Sequence, residues 1–102
     1  MRIRVRRVGG IAGNIAVAAE METSQLPADE ATRLEAAVGG LPWGGSVGAP
    51  PHPDAFRYEV DVPDEPERGT AVLEEGELSG DLDRLRDHLQ RTGVVEPARR
   101  RH

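Results

Sequence analysis

Hydrophobic and polar residues alternate in three clean runs along this chain. In "RIRVR" (2–6), Ile3 and Val5 share one face while Arg2, Arg4 and Arg6 share the other. That period of two marks a half-buried antiparallel strand. Ile15, Val17, Ala19 and Met21 repeat the pattern, with Glu20 and Glu22 outward. Between these runs lies "GGIAGN" (9–14), so the pair predicts a β-hairpin whose connection is longer than two residues. "FRYEVDV" (56–62) alternates again, with Phe56, Tyr58, Val60 and Val62 inward and Arg57, Glu59 and Asp61 outward. After the polar turn "PDEPERG" (63–69), "TAVLEEG" (70–76) reads as a weaker fourth strand. If the first and third strands pair, the acids of the third face Arg2, Arg4 and Arg6. Such cross-strand pairs contribute about 0.2–1 kcal/mol each and favour a register more than they stabilise the fold.

Two stretches follow a helical period instead. In "TSQLPADEATRLEAAVGG" (23–40), Ala31, Leu34 and Val38 form one stripe, Thr23 or Ser24 is the expected cap, and Pro27 suits the first turn. Asp29 and Glu30 complement the positive end of the helix dipole, and Gly39-Gly40 stop the helix. In "LSGDLDRLRDHLQRTG" (78–93), Leu78, Leu82, Leu85 and Leu89 make an amphipathic stripe, with Ser79 or Asp81 near its start and Gly93 past its end. The order ββαββα predicts an α+β domain over residues 1–95: a four-stranded, mostly antiparallel sheet with two helices packed on one face. Residues 96–102, "EPARRRH", are expected to form a flexible basic tail. Residues 39–55 carry five glycines and four prolines in seventeen positions and predict an irregular connection, anchored on the core by Leu41 and Trp43. Connections of that length are uncommon in compact domains and are often functional.

Composition narrows the possibilities. With 102 residues the chain is one domain. A domain of this size buries about 60–70% of its unfolded surface, which supports one core and no deep enclosed cleft. There is no cysteine, hence no disulfide framework or thiolate metal site, and no lysine, hence no P-loop or Schiff base. Four arginines open the chain and three close it; between residues 8 and 98 six arginines meet all eighteen acids, a charge of −12. An acidic body disfavours nucleic acid and anionic membranes as partners. No apolar run reaches the ~20 residues that span a bilayer. The first residues alternate arginine with Ile3 and Val5 and form no signal-peptide core, so a cytoplasmic location is expected.

Candidate chemistry is sparse. "GGSVG" (44–48) matches G-x-S-x-G, but a nucleophile elbow needs a strand before Ser46 and a helix after it, and Leu-Pro-Trp and Ala-Pro-Pro supply neither. "GGIAG" (9–13) lacks the following helix on which a phosphate cradle depends. His52 and Asp54 sit in a proline-rich stretch with no partner motif for a metal, His88 flanks the second helix stripe, and the acids at 64–67 and 74–77 lack the ligand spacing of a calcium loop. No set assembles nucleophile, base and oxyanion donor, so a non-enzyme without cofactor or metal is expected. What does stand out is Ile11, an apolar residue among Gly9, Gly10 and Gly13 with no evident place in the core.

The strand leading into "GGIAG", the second strand, "LPADEATRLEAAV", the Pro-rich connection, "FRYEVDV" and the C-terminal amphipathic helix together resemble the emfourin family, protealysin-associated protein inhibitors of thermolysin-like zinc metallopeptidases. The resemblance spans roughly residues 2–90. It implies reversible inhibition of a bacterial thermolysin-like peptidase by occlusion of its active-site cleft, with a protein partner and a free state that is monomeric. Such peptidases favour a bulky apolar residue just after the cleaved bond. The partner-binding residues expected here are Gly9, Gly10, Ile11, Ala12, Gly13 and Asn14 of the hairpin connection, with Trp43 as a second contact. The alternative is a small non-catalytic adaptor that uses the sheet edge or the Trp43 segment.

Overall fold

The computed structural model describes residues 1–9, 15–44 and 56–97. Its elements are β1 (Arg2–Gly9), β2 (Ile15–Glu22), α1 (Ala28–Gly39), β3 (Phe56–Asp61), β4 (Thr70–Glu74), α2 (Asp83–Thr92) and β5 (Val94–Pro97), with one 3-10 turn before α1, one before β4 and two between β4 and α2. The sheet runs β4-β3-β1-β2-β5 and is antiparallel throughout.

Strand registers follow the alternation in the sequence. Ile3 pairs with Met21, and Ala19, Val5, Val60 and Ala71 form one row across four strands. That face meets Leu34 and Val38 of α1 and Leu85 and Leu89 of α2 in a single core, in which Ile3, Val5, Val38, Val60 and Leu85 are wholly buried. The opposite face carries the charges: Arg4 stands between Glu20 and Asp61, and Arg6 stands between Ala18 and Glu59. The third-strand acids do face the first-strand arginines, with Arg6 Nη1 3.5 Å from Glu59.

The α+β class with two helices holds, but the sheet has five strands, not four, and the order is ββαββαβ. The addition, β5, pairs with Ile15–Ala18 of β2 and crosses the point between residues 95 and 96 where a tail was expected to begin. Two features hid it. It is only four residues long, and its valines are 67% and 65% exposed, so no buried stripe announces it. Gly93 makes the junction possible. A β-carbon there would lie 2.3 Å from the Leu89 carbonyl oxygen and 2.5 Å from Val17 Cγ1, so helix passes into strand with no loop only because the side chain is absent.

Helix starts also differ from expectation. Pro27, not Thr23 or Ser24, occupies the cap position of α1, and no side chain bonds there; Thr23 instead begins a 3-10 turn and is buried. Regular α-helix begins at Asp83, so Leu78 reaches the core from ahead of α2. Glu30 and Arg84 form an ion pair between the helices, and Arg33 lies 3.7 Å from Asp81.

Leu85→Ala is expected to cost about 2–5 kcal/mol in denaturant unfolding, because a buried leucine leaves a cavity, whereas Val94→Ala, at an exposed site, stays within about 0.5 kcal/mol. Gly93→Ala should cost about 1–3 kcal/mol, since its methyl group meets backbone rather than a movable side-chain end; an unchanged denaturation midpoint would contradict this packing.

Candidate functional site

The expected partner-binding residues separate in the structure. Gly9 closes β1, where its backbone is in register with Phe56 of β3. Ile15 opens β2, in register with Pro97 of β5. Residues 10–14 join these two stem positions; Gly10, Ile11, Ala12, Gly13 and Asn14 lie outside the described residues, as do Ser46, His52 and Asp54. The stem is therefore paired on both outer sides, by β3 next to β1 and by β5 next to β2.

Trp43 sits elsewhere. Its backbone bridges Ala71 on the free side of β4, its Nε1 donates to the Val38 carbonyl at 3.0 Å, and the Arg68 guanidinium carbon lies 5.5 Å from its ring centroid. Arg68 Nε in turn donates to Glu65 Oε1 at 2.7 Å. The ring thus anchors the segment after α1 to the β4 edge and remains half-buried. Counting residues and strands from the Ala71–Val60–Val5 row, Gly9 and Trp43 are separated by about 13 Å along the strands and about 14 Å across them. They do not form one compact patch, and only a partner with a broad face reaches both.

The remaining candidates have structural employment. His88 is half-buried, and its Nε2 donates to the Glu20 carbonyl at 2.6 Å, which fixes the proton on that nitrogen. An open groove of about 430 Å³ beside it is lined by Ala19, Glu20, His88 and Thr92 among others. Glu77 accepts from the Glu74 amide at 2.8 Å and closes the turn after β4. Among the described residues no three histidines or carboxylates gather where a metal ion could be held.

Three features escaped the sequence reading. Glu59 is 7% exposed and is gripped by two arginines, with Arg6 Nη1 at 3.5 Å and Arg57 Nε at 3.6 Å. Arg7 takes the inner face, in a row with Val17 and Tyr58, because the alternation of β1 continues past the arginine that precedes it. The third is a polar knot at the end of the sheet opposite the stem. There the Met1 amino group donates to Glu22 at 3.0 Å and to Thr23 Oγ1 at 2.9 Å, and Thr23 Oγ1 donates to Glu35 of α1 at 2.5 Å.

The emfourin family model matches residues 5–90. This chain belongs to the emfourin family. No curated protein and no solved structure matches it. Membership in the emfourin family suggests a role as a metallopeptidase inhibitor, with a peptidase as protein partner, and it is consistent with a non-catalytic chain. The emfourin match begins within β1, takes in β2 and α1, and ends within α2, before β5. Among the described residues no helix is long and apolar enough to cross a membrane.

The polar knot predicts a pH window. The hydrogen bond to Glu22 holds the Met1 amino group above its ordinary 8.0, and the same bond holds the Glu22 carboxyl below its ordinary 4.5. A raised amine stabilises fully below its unfolded value and loses that contribution as pH rises through the folded one. A depressed carboxyl stabilises above its unfolded value and loses that contribution as pH falls. Stability should therefore be highest between about 4.5 and about 8 as far as this pair is concerned. In melting curves across pH, Glu22→Gln is expected to flatten the alkaline decline. An identical alkaline limb in the variant would dismiss the pair as a source of stability.

Proposed function

We propose that this emfourin-family chain reversibly inhibits a thermolysin-like zinc metallopeptidase by occupying its active-site cleft. The observation that carries the reading is the family match across residues 5–90, nearly the whole of the fold. Ile11 is the anchor that fills the apolar pocket beyond the scissile position, Gly9, Gly10 and Gly13 shape the backbone that presents it, and Asn14 contacts the rim. Trp43, some distance away at the β4 edge, is a second contact for a partner broad enough to reach it. The chain acts as a monomer in the cytoplasm, where the peptidase it restrains is made.

Physical argument supports this assignment. A hairpin whose stem is already held does not have to order that stem on binding, so less of its contact energy is lost to ordering. The geometry suits that task, since β3 and β5 flank the hairpin as far as Gly9 and Ile15. The acidic body, −12 between residues 8 and 98, favours approach to a basic rim and predicts an association rate that falls with added salt.

The decisive assay titrates the protein into a thermolysin-like peptidase and follows cleavage of a peptide substrate. Stoichiometric loss of activity is expected; no effect on several such peptidases favours the adaptor reading instead. Ile11→Glu is expected to raise the inhibition constant at least about a hundredfold at unchanged melting temperature, because a carboxylate entering an apolar pocket must be desolvated without a partner. Full inhibition by the folded variant removes Ile11 from the mechanism.

A further inference from the structure

β5 contributes almost nothing to the core. Val94 and Val95 are 67% and 65% exposed, and neither belongs to the buried cluster. What the strand supplies is backbone, and it supplies it in one place: Val94–Pro97 pairs with Ile15–Ala18, the stem half of β2, and with no other part of the sheet. We infer that β5 is a brace for the stem of the 9–15 hairpin, and that its hydrogen bonds to β2 set the affinity of the chain for its peptidase. The inference rests on the inhibitor reading and adds to it an element beyond residue 90, where the family match ends.

The direction of those hydrogen bonds follows from two independent features. In an antiparallel ladder, residues alternate between pairs that exchange both bonds and pairs that exchange none. Pro97 has no N–H, so its pair with Ile15 is of the second kind, and Glu96 with Ala16 and Val94 with Ala18 are of the first. On β2 this turns the peptide groups of Ala16, Ala18 and Glu20 away from β1. The Glu20 carbonyl does face outward, where it accepts from His88. Val94 N–H therefore points at β2, and Val95 N–H points to solvent.

At the other margin of the hairpin, β3 already pairs with β1 as far as Gly9. Without β5, the stem half of β2 is an open edge paired on one side only, and such strand ends have the less protected backbone and open locally more readily. Gly93 sets the brace in place: it touches the Leu89 carbonyl and Val17, so β5 is registered directly by α2, whose Leu85 and Leu89 are fixed in the core. The brace is thus tied to the core through backbone, while the Val94 and Val95 side chains remain exposed.

Two proline variants of the full chain test this. Val94→Pro deletes a bond to β2, while Val95→Pro removes an outward N–H and is tolerated at an edge. Both sites are exposed, so neither variant empties the core. Amide exchange by NMR is expected to accelerate at Ala16 and Ala18 in Val94→Pro, with Ile3 and Met21 still protected, and the inhibition constant is expected to rise at least tenfold. Val95→Pro should remain within threefold of the parent in both respects. Unchanged exchange at the stem overturns the brace. Faster stem exchange with unchanged inhibition overturns its role in affinity, and loss of protection at Ile3 and Met21 shows that β5 holds the whole sheet and overturns the assignment to the stem. If the unaltered chain inhibits no thermolysin-like peptidase, the inhibitor reading fails and the affinity role with it, while the exchange pattern still decides the brace.

Discussion

A strand hydrogen-bonded on both sides must satisfy two neighbours with one sequence, and in this protein the strand so placed at the centre is β1. It meets β2 along Arg2–Val8 and β3 along Arg4–Gly9. Because side chains alternate strictly, a slip of one residue in either ladder would turn Ile3 and Val5 to solvent and press arginines into the core. The core face and the charged face therefore hold the same register from opposite sides. Glu59 shows what the second face adds. It is nearly buried between Arg6 and Arg57, and taking either arginine away would leave a carboxylate short of a partner in a poorly solvated place. Such a site discriminates against wrong registers more than it stabilises the right one.

With the centre fixed, the edges become the problem, since an open strand edge invites other chains. Each margin is handled by different means. Beside β4, Trp43 supplies one backbone bridge to Ala71, and Arg68 rests over its ring. Beside β2, β5 covers the half nearer the hairpin connection, and His88 takes the Glu20 carbonyl beyond it. β5 is itself an edge, but it is short and ends at Pro97, which offers no donor to a further strand. The helices are linked at their polar sides by Glu30 with Arg84 and Arg33 with Asp81, contacts that orient them while the leucine stripes carry the burial.

This division explains what could be read from the residues alone. Elements whose side chains alternate or recur around a buried stripe were legible, because burial leaves a period: Ile3 and Val5, Tyr58 and Val60, Leu85 and Leu89 all fall where that period puts them. The faces of the sheet and the opposition of arginines to acids followed from the same rule. β5 left no period, since its valines point to solvent on both faces and its contribution is backbone. Val94-Val95 directly after Gly93 was the available signal, a β-branched pair behind a helix stop. Caps misled for a related reason: Thr23 has the chemistry of a helix cap, but the Met1 amino group and Glu35 offer its hydroxyl better partners. Of the expected site, position 9 and Trp43 are placed, about 19 Å apart by strand spacing, and the composition of the connection gave no hint of that separation.

The two ends of the sheet do different work, and the physical contrast between them bears on function. At one end the Met1 amino group, Glu22, Thr23 and Glu35 knot the β1–β2 ladder to α1, with Thr23 almost fully buried. A knot of that kind fixes the ladder to α1 by specific hydrogen bonds through the buried Thr23 hydroxyl, while its partly exposed carboxylates add little net stability. At the other end Gly9 and Ile15 are held by neighbouring strands through backbone pairing. Backbone pairing fixes position while leaving side-chain chemistry unconstrained, so the segment carried there can vary in sequence without disturbing the core. A small domain with little surplus stability gains from that separation. Under the proposed function, changes that tune recognition at the stem end do not draw on the burial that holds Ile3, Val5 and Leu85 in place, so contacts there can change while the sheet stays the same.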